Sequence, residues 1–141
     1  MFWDSSAVVP LLVSEERSAE LAPLLPEAGS PTVWWSTGVE CLSALYRRQR
    51  EAPLAVPLLT EALRRLEALL ESFDTVPPTE AVRRRAARLL ATHVLRAADA
   101  LQLGAALVWC EERPSGETFV CLDTRLREAA RREGFEVLPP G

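Results

Sequence analysis

The fold of this chain is indicated most clearly by the stretch TFVCLDTRLREAARREGFEVL, residues 118–138. It opens with the apolar run 118–122, continues as a helical pattern up to Glu133, stops at Gly134 and closes with the apolar segment 135–138. Glycine directly after a helix is a common helix stop. Two buried-type strands joined by a helix predict a right-handed crossover between parallel strands.

The same alternation of short apolar segments and helical patterns runs through the rest of the chain. Further strands are predicted at residues 1–3, 32–35 and 73–76. Helices are predicted at residues 5–13, 15–25, 37–50, 57–72, 79–93 and 99–109, and a turn is predicted at residues 29–31. Because helices separate the strands, we expect one α/β domain over residues 1–141, with a parallel sheet between layers of helices.

The charged residues restrict the functions open to the chain. All 16 basic residues are arginine, and the net charge is −4. A protein that coats nucleic acid through bulk electrostatics needs a broad basic surface, so any such contact must be local or arranged by metal ions. The absence of lysine excludes a phosphoacceptor receiver domain. The segment Asp4-Ser5-Ser6 lacks the Asp-x-Asp of haloacid-dehalogenase-like phosphatases.

The sequence favours a cytoplasmic protein with no membrane association. No apolar run approaches the ~20 residues that cross a bilayer, and Asp4 stands where a signal peptide would carry basic residues. Cys41, Cys110 and Cys121 form no CxxC pair and are odd in number. This pattern indicates small buried residues in a reducing compartment, and neither a disulfide framework nor a zinc site.

Four acidic residues fall where predicted strands end or predicted helices begin. Asp4 and Asp123 follow strands, and Glu40 and Asp99 lie in the first turns of helices. Carboxyl ends of parallel strands meet at one sheet edge, so we expect all four there. Two carboxylates about 4 Å apart repel by about 4 kcal/mol at an effective dielectric of 20. A divalent cation would relieve this repulsion. All-oxygen ligation favours Mg²⁺ or Mn²⁺ over zinc, and a water on such an ion can attack a phosphodiester.

Each acid also has a purely structural interpretation. Asp4, Asp99 and Asp123 are good helix N-caps, and Glu40 could complete a capping box with Thr37. For each acid taken alone, the structural interpretation is favoured. For the four acids taken together, a metal site is favoured, because three of only four aspartates are predicted to start helices at the same sheet edge with a glutamate beside them.

These residues and their surroundings resemble the PIN-domain family, and within it the VapC-type ribonuclease toxins of bacterial toxin–antitoxin pairs. The matching segments, in order, are Phe2-Trp3-Asp4-Ser5-Ser6-Ala7, Val39-Glu40-Cys41-Leu42-Ser43-Ala44-Leu45, Leu95-Arg96-Ala97-Ala98-Asp99-Ala100-Leu101-Gln102-Leu103, Cys121-Leu122-Asp123-Thr124-Arg125-Leu126 and Gly134-Phe135-Glu136-Val137. They span essentially the whole chain, and the first segment and the Ala-Ala-Asp-Ala-Leu segment are the most specific.

The resemblance implies a PIN-like three-layer α/β/α domain with a parallel sheet of about five strands. It also implies Mg²⁺- or Mn²⁺-dependent RNA hydrolysis, a homodimer and a cognate antitoxin. The implied metal ligands or water-orienting groups are Asp4, Glu40, Asp99 and Asp123. Ser6 is implied as a hydroxyl that orients a carboxylate. Cys121 departs from the family, which usually has Thr or Ser there.

Two other functions stay open at this point. The domain could be an RNA-processing nuclease of the same superfamily, or a catalytically inactive RNA-binding or assembly module. Metal binding would separate an active nuclease from an inactive module. Trp34 and Trp35 should point to opposite faces of the sheet, one into the core and the other towards a base or a partner. Gln102, one turn after Asp99, is open to a role at the site or at the edge of the core.

Overall fold

The computed structural model describes residues 1–26 and 30–141; of the turn predicted at residues 29–31, Gly29 lies outside them. The strands within these residues are β1 Phe2–Trp3, β2 Thr32–Trp34, β3 Asp74–Val76, β4 Thr118–Val120 and β5 Glu136–Leu138. The α-helices are α1 Ser5–Leu12, α2 Ser18–Leu21, α3 Thr37–Glu51, α4 Val56–Ser72, α5 Glu80–Thr92, α6 Ala97–Trp109 and α7 Thr124–Glu133.

The five strands form one sheet in the order β3-β2-β1-β4-β5, and every neighbouring pair is parallel. Strand β1 is central, and Phe2 is in register with Thr32 on one side and with Phe119 on the other. The predicted α/β class with a five-stranded parallel sheet is confirmed.

Successive strand residues point to opposite faces of the sheet, so each strand supplies two separate cores. Phe2 and Phe119 join one core, together with apolar residues of α5, α6 and α7. Trp3 and Val120 join the other, with apolar residues of α1, α3 and α4. Helices thus cover both faces, which gives the three layers.

The middle of helix α6, from Gln102 to Leu107, is fully buried, and the helix packs closely on α5. Gly104 permits this approach, because a Cβ there would lie 3.1 Å from the backbone nitrogen of Ala86. The close packing fixes the position of the N-terminus of α6, which carries Asp99.

Two predicted helices differ from the structure by more than one residue at an end, whereas the other predicted bounds of helices differ by at most one residue. The helix predicted at residues 15–25 is only α2, Ser18–Leu21, followed by a 3₁₀ turn over Ala22–Leu24. Pro23 has no N–H to donate to an α-helical hydrogen bond. The helix predicted to start at Asp99 begins at Ala97, so Asp99 lies inside its first turn. Within the described residues, no helix is both long and apolar enough to cross a membrane.

Candidate active site

The topology places a crevice between the carboxyl ends of β1 and β4. Helix α1 leaves β1 for one face of the sheet, and α7 leaves β4 for the other. Where neighbouring parallel strands send their helices to opposite faces, a ligand crevice opens at their carboxyl ends. A cleft of about 590 Å³ lies at this place. The structure brings all four predicted acids to its lining: Asp4, Glu40, Asp99 and Asp123.

Asp4 is the innermost of these acids and is only 3% exposed. Its backbone N–H donates to the carbonyl oxygen of Val120 at 2.9 Å, which ties the end of β1 to β4. Its Oδ2 caps α1 by accepting from the backbone N–H of Ser6 at 3.0 Å and from the Ser6 hydroxyl at 2.5 Å. Burial raises the pKa of Asp4 to about 6; the Ser6 hydrogen bonds oppose this rise, and the charges of Glu40 and Asp99 add to it.

Ser6 connects Asp4 to the strand that leads to Asp123. Its hydroxyl oxygen accepts a hydrogen bond from the backbone N–H of Leu122 at 2.9 Å while the hydroxyl donates to Asp4. The thiol of Cys121 lies 3.6 Å from both the Ser6 hydroxyl and Asp4 Oδ2. Burial raises the pKa of this thiol. Cys121 therefore stays neutral and acts as a weak donor to Asp4.

Glu40 is oriented by three side-chain donors. Ser5 Oγ donates to Oε1 at 3.2 Å, whereas Ser36 Oγ and Gln102 Nε2 donate to Oε2 at 2.7 Å and 3.1 Å. The alternative capping box with Thr37 is wrong, because Ser36 is the N-cap of α3. Glu40 therefore does not occupy the capping-box position. Its carboxylate is oriented by the side chains of Ser5, Ser36 and Gln102.

Gln102 is a fully buried polar side chain beside the cleft. Its Nε2 also donates to Thr37 Oγ1 at 3.1 Å, so it joins α6 to the first turn of α3. Its Oε1 has no hydrogen-bond partner within the described residues. Of the two roles that the sequence left open, the contact with Glu40 supports the one at the site.

Asp99 and Asp123 both line the cleft and are close enough for the charge of Asp123 to affect Asp99. Burial raises the pKa of half-buried Asp99, followed by the charge of Asp123, while the backbone N–H of Arg96 opposes the rise. Arg96, not Asp99, is the N-cap of α6, so the N-cap interpretation of Asp99 is wrong. Asp123 does cap α7, since its Oδ1 accepts from the backbone N–H of Leu126 at 2.9 Å. Asp123 therefore caps α7, as the structural interpretation predicts, and also lines the cleft.

Sequence reasoning missed a buried arginine behind the site. Arg127, 5% exposed, donates to the carbonyl oxygens of Cys121 and Pro139, both at 2.6 Å. The guanidinium thus joins the chain at Cys121, directly after β4, to the C-terminal residues. Cys121 lies two positions before Asp123. Spacing in the sequence gives no signal for such a contact, because the acceptors are backbone carbonyls.

The donor set fits a hydrated divalent cation. Within residues 1–26 and 30–141, no group of three acidic, His or Cys side chains stands close enough together to enclose a metal ion. Mg²⁺ is usually bound through one or two carboxylates and keeps several waters, so it needs no such cage. Burial, and to a smaller extent the charges of neighbouring acids, raises the pKa values of Asp4 and Asp99, and a bound cation would offset both effects.

Arginines also line the cleft, and they come from three separate elements. They are Arg47 on α3, Arg96 before α6 and Arg125 in the first turn of α7. The neighbouring Arg48 instead pairs with Glu15 at 3.2 Å.

The two tryptophans separate as the strand pattern predicts. Trp34 is 5% exposed and lies in the core, whereas Trp35 is 62% exposed. Trp35 borders an apolar groove between α3 and α4, which includes Leu63 and Leu70.

Comparison with known proteins identifies a family and a solved structure of similar fold. A family model described as "PIN domain" matches residues 1–132. The crystal structure of PAE2754 from Pyrobaculum aerophilum superposes with a TM-score of 0.62 at 21% sequence identity, covering 97% of this chain and 87% of that one. At this identity the likeness concerns the fold alone. A comparison with curated proteins finds no match.

Proposed function

The chain belongs to the PIN-domain family, and from this premise we propose that it is a Mg²⁺- or Mn²⁺-dependent endoribonuclease. PIN domains are generally nucleases and typically depend on divalent metal ions. The proposed ligands or water-orienting groups are Asp4, Glu40, Asp99 and Asp123. The proposed setting is the cytoplasm.

One observation carries the proposal: four carboxylates share a cleft although burial and mutual repulsion oppose their charges. A protein that used these acids only as helix caps would have no reason to bring them together. Glu40 supports the argument most directly, because it caps no helix and is nevertheless held by three donors.

Each residue of the cleft then has a distinct task. A divalent cation held there would supply a nucleophilic water and would stabilise negative charge on the phosphate. Asp4 and Asp99 would hold the cation, and Ser6 fixes the Asp4 carboxylate by its two hydrogen bonds. Glu40, which accepts hydrogen bonds from Ser5, Ser36 and Gln102, would orient a water and accept its proton. Asp123 would add a fourth negative charge to the lining of the cleft.

Cleavage of a labelled RNA under three conditions tests this proposal. We expect cleavage with Mg²⁺ or Mn²⁺, none in EDTA, and recovery when metal is added back. Cleavage at full rate in EDTA would contradict the mechanism. Absence of both cleavage and Mn²⁺ binding, measured by calorimetry on the same sample, would favour the alternative of an inactive RNA-binding or assembly module.

Within this function we propose the finer role of a toxin in a VapC-type toxin–antitoxin pair, acting as a homodimer. The resemblance of the motifs supports this role. A groove of about 410 Å³ between α1, α2 and α4 also supports it, because Leu12, Leu25 and Leu69 line it with apolar surface. Such a groove suits one apolar helix of a cognate antitoxin.

Expression of the chain alone in a bacterial host tests the toxin role. We expect growth arrest, relieved by co-expression of a short protein encoded just upstream. An Asp99→Asn chain is the matched control and should be harmless. Harmless expression of the intact chain, when the purified protein cleaves RNA, would favour the RNA-processing nuclease instead.

A further inference from the structure

We infer that Arg47, Arg96 and Arg125 form a phosphate-binding frame that holds a single RNA strand across the acidic cleft. The inference rests on the proposed nuclease function and extends it to the residues that bind the substrate backbone. None of the three contributes a carboxylate or a proton to the reaction.

The frame is selected first by what the other arginines do. Within residues 1–26 and 30–141, ten of the 16 arginines have ion pairs or donate to backbone carbonyls from their side chains: Arg17, Arg48, Arg64, Arg65, Arg83, Arg84, Arg85, Arg127, Arg131 and Arg132. The other six lack such contacts in the same residues, and Arg47, Arg96 and Arg125 are the three of them that line the cleft.

The lack of ion pairs at the cleft arginines is informative, because carboxylates of the same cleft lie near them. Arg96 lies close enough to Asp99 for its charge to lower the pKa of that carboxyl, yet no ion pair forms. Arg125 is two residues from Asp123 and also forms none. A guanidinium without a carboxylate partner keeps all five of its donors for phosphate oxygens.

The charge of the cleft explains why the frame is needed. Four carboxylates and three guanidiniums leave one net negative charge on the lining. A phosphodiester would be repelled by the acids alone. A bound divalent cation would make the net charge of the lining positive, so that metal and arginines attract the strand together, although the whole chain carries a net charge of −4.

The positions favour a strand over a compact ligand. The three arginines that line the cleft come from three separate elements, namely α3, the N-terminus of α6 and the N-terminus of α7. A phosphate backbone that crosses the cleft can meet them at successive phosphates. Three contacts correspond to a slope of log K against log salt of about −2 on a single strand.

Equilibrium binding of a short fluorescein-labelled single-stranded RNA tests the frame. Fluorescence anisotropy is measured on the full chain in Ca²⁺ buffer, with gels to establish that the probe stays intact. Arg47→Ala, Arg96→Ala and Arg125→Ala should each raise Kd roughly tenfold and reduce the size of the salt slope by about 0.7.

Two other arginines without side-chain partners in the described residues provide matched controls. Arg88→Ala and Arg113→Ala remove exposed guanidiniums outside the cleft and should change Kd by less than about twofold. Arg96→Lys should retain the salt slope but recover only part of the affinity, because lysine keeps the charge without the planar fork.

The outcomes separate this inference from the nuclease proposal. If the cleft variants bind RNA as tightly and with the same salt slope as the two controls, the frame does not exist, even if the chain cleaves RNA. If the cleft variants lose affinity and the controls do not, the frame stands, even if no cleavage is found and the nuclease proposal fails.

Discussion

At the scale of single residues, the same aspartate can cap a helix and serve the cleft. Asp4 and Asp123 each accept a backbone N–H of the helix that follows them, and both line the cleft. Capping uses one oxygen and places the carboxylate at the strand end, and for Asp4 the Ser6 hydroxyl donates to the same oxygen. Glu40 has no such anchor, so its orientation depends on Ser5, Ser36 and Gln102.

Asp99→Asn should separate stability from activity. The neutral amide removes a charge that burial, Asp123 and Glu40 all disfavour. In EDTA we therefore expect the melting temperature to rise by a few degrees, which corresponds to a free energy of unfolding larger by on the order of 1 kcal/mol. Cleavage should fall by about a hundredfold or more. Asp74→Asn, an exposed change on β3 outside the cleft, is the control and should alter neither. Wild-type cleavage by Asp99→Asn would remove Asp99 from the site.

The raised pKa of Asp4 predicts that the metal-free protein becomes more stable as the pH falls from 7 towards 5. The folded protein binds a proton at Asp4 near pH 6, whereas the unfolded chain does so near the ordinary value of 3.8. Between these values the folded state holds more protons, so its free energy of unfolding increases on acidification, by about 1 kcal/mol from pH 7 to pH 5 and by up to about 3 kcal/mol below both pKa values. The lowered pKa of Glu133 acts in the opposite direction, and only below about 4.5.

Urea unfolding in EDTA at pH 5 and pH 7.5 measures this effect. The Asp4→Asn variant should show a flatter pH dependence, because it has no proton to gain. Equal stability of the wild-type protein at both pH values would contradict the burial of a charged Asp4.

At the scale of elements, two helix N-termini must meet for the cleft to form. The side chain of Gln102 joins α6 to α3 by donating to Thr37 and Glu40. The contact can form because Gly104, half a turn further along α6, lets that helix approach α5 closely. The site thus depends on packing one layer below it.

Gln102→Leu should impair the site more than the fold. Leucine nearly preserves the shape and removes an amide oxygen that has no partner in the described residues, so we expect stability to change by about 1 kcal/mol or less. Glu40 loses a donor, so kcat should fall by roughly tenfold and the Kd for Mn²⁺ should rise. Calorimetry with Mn²⁺ and single-turnover cleavage provide the measurements.

Gln49→Leu is the matched control for this prediction. Gln49 also makes two hydrogen bonds, but to the backbone of Leu54 at the far end of α3. It should cost stability and leave Mn²⁺ affinity unchanged. If both variants bound Mn²⁺ like the wild-type protein, Gln102 would have only a packing role.

At the scale of the whole molecule, the order of the strands decides where the cleft opens and what can enter it. The crevice between β1 and β4 is bordered by α3, α6 and α7. Its acids lie at different depths, from Asp4 at 3% exposure to the exposed Asp123. A single phosphate from a splayed strand can reach the inner acid, whereas a stiff duplex cannot follow it inward.

Cleavage should therefore favour a hairpin loop over a fully paired RNA. Both substrates can be built from the same sequence, with the loop closed by a complementary strand in the paired form. We expect the loop to be cut at least roughly tenfold faster, with a shallow dependence on salt. Preferential cleavage of the duplex, or a steep salt dependence, would indicate a basic docking surface elsewhere on the protein.

The sequence by itself determined the fold class and the convergence of Asp4, Glu40, Asp99 and Asp123 at one edge of the sheet. Apolar runs alternate with helical periodicity, and buried parallel strands need only that pattern to be recognised. The acids at positions 4, 40, 99 and 123 could be found because strand ends and helix starts are local features. The shorter α2 and the earlier start of α6 were not foreseen, since cap geometry sets such boundaries more than propensity does.

Only the tertiary structure decided how the acids are held and which arginines face them. The donors to Glu40 come from Ser5, Ser36 and Gln102, which are up to 62 positions away in the chain. Arg47 and Arg48 are neighbours in the sequence, yet one lines the cleft and the other pairs with Glu15. The physical reason is that a side-chain hydrogen bond or ion pair depends on positions within about an ångström. Such positions result from the packing of helices on both faces of the sheet, and local sequence pattern carries no record of them.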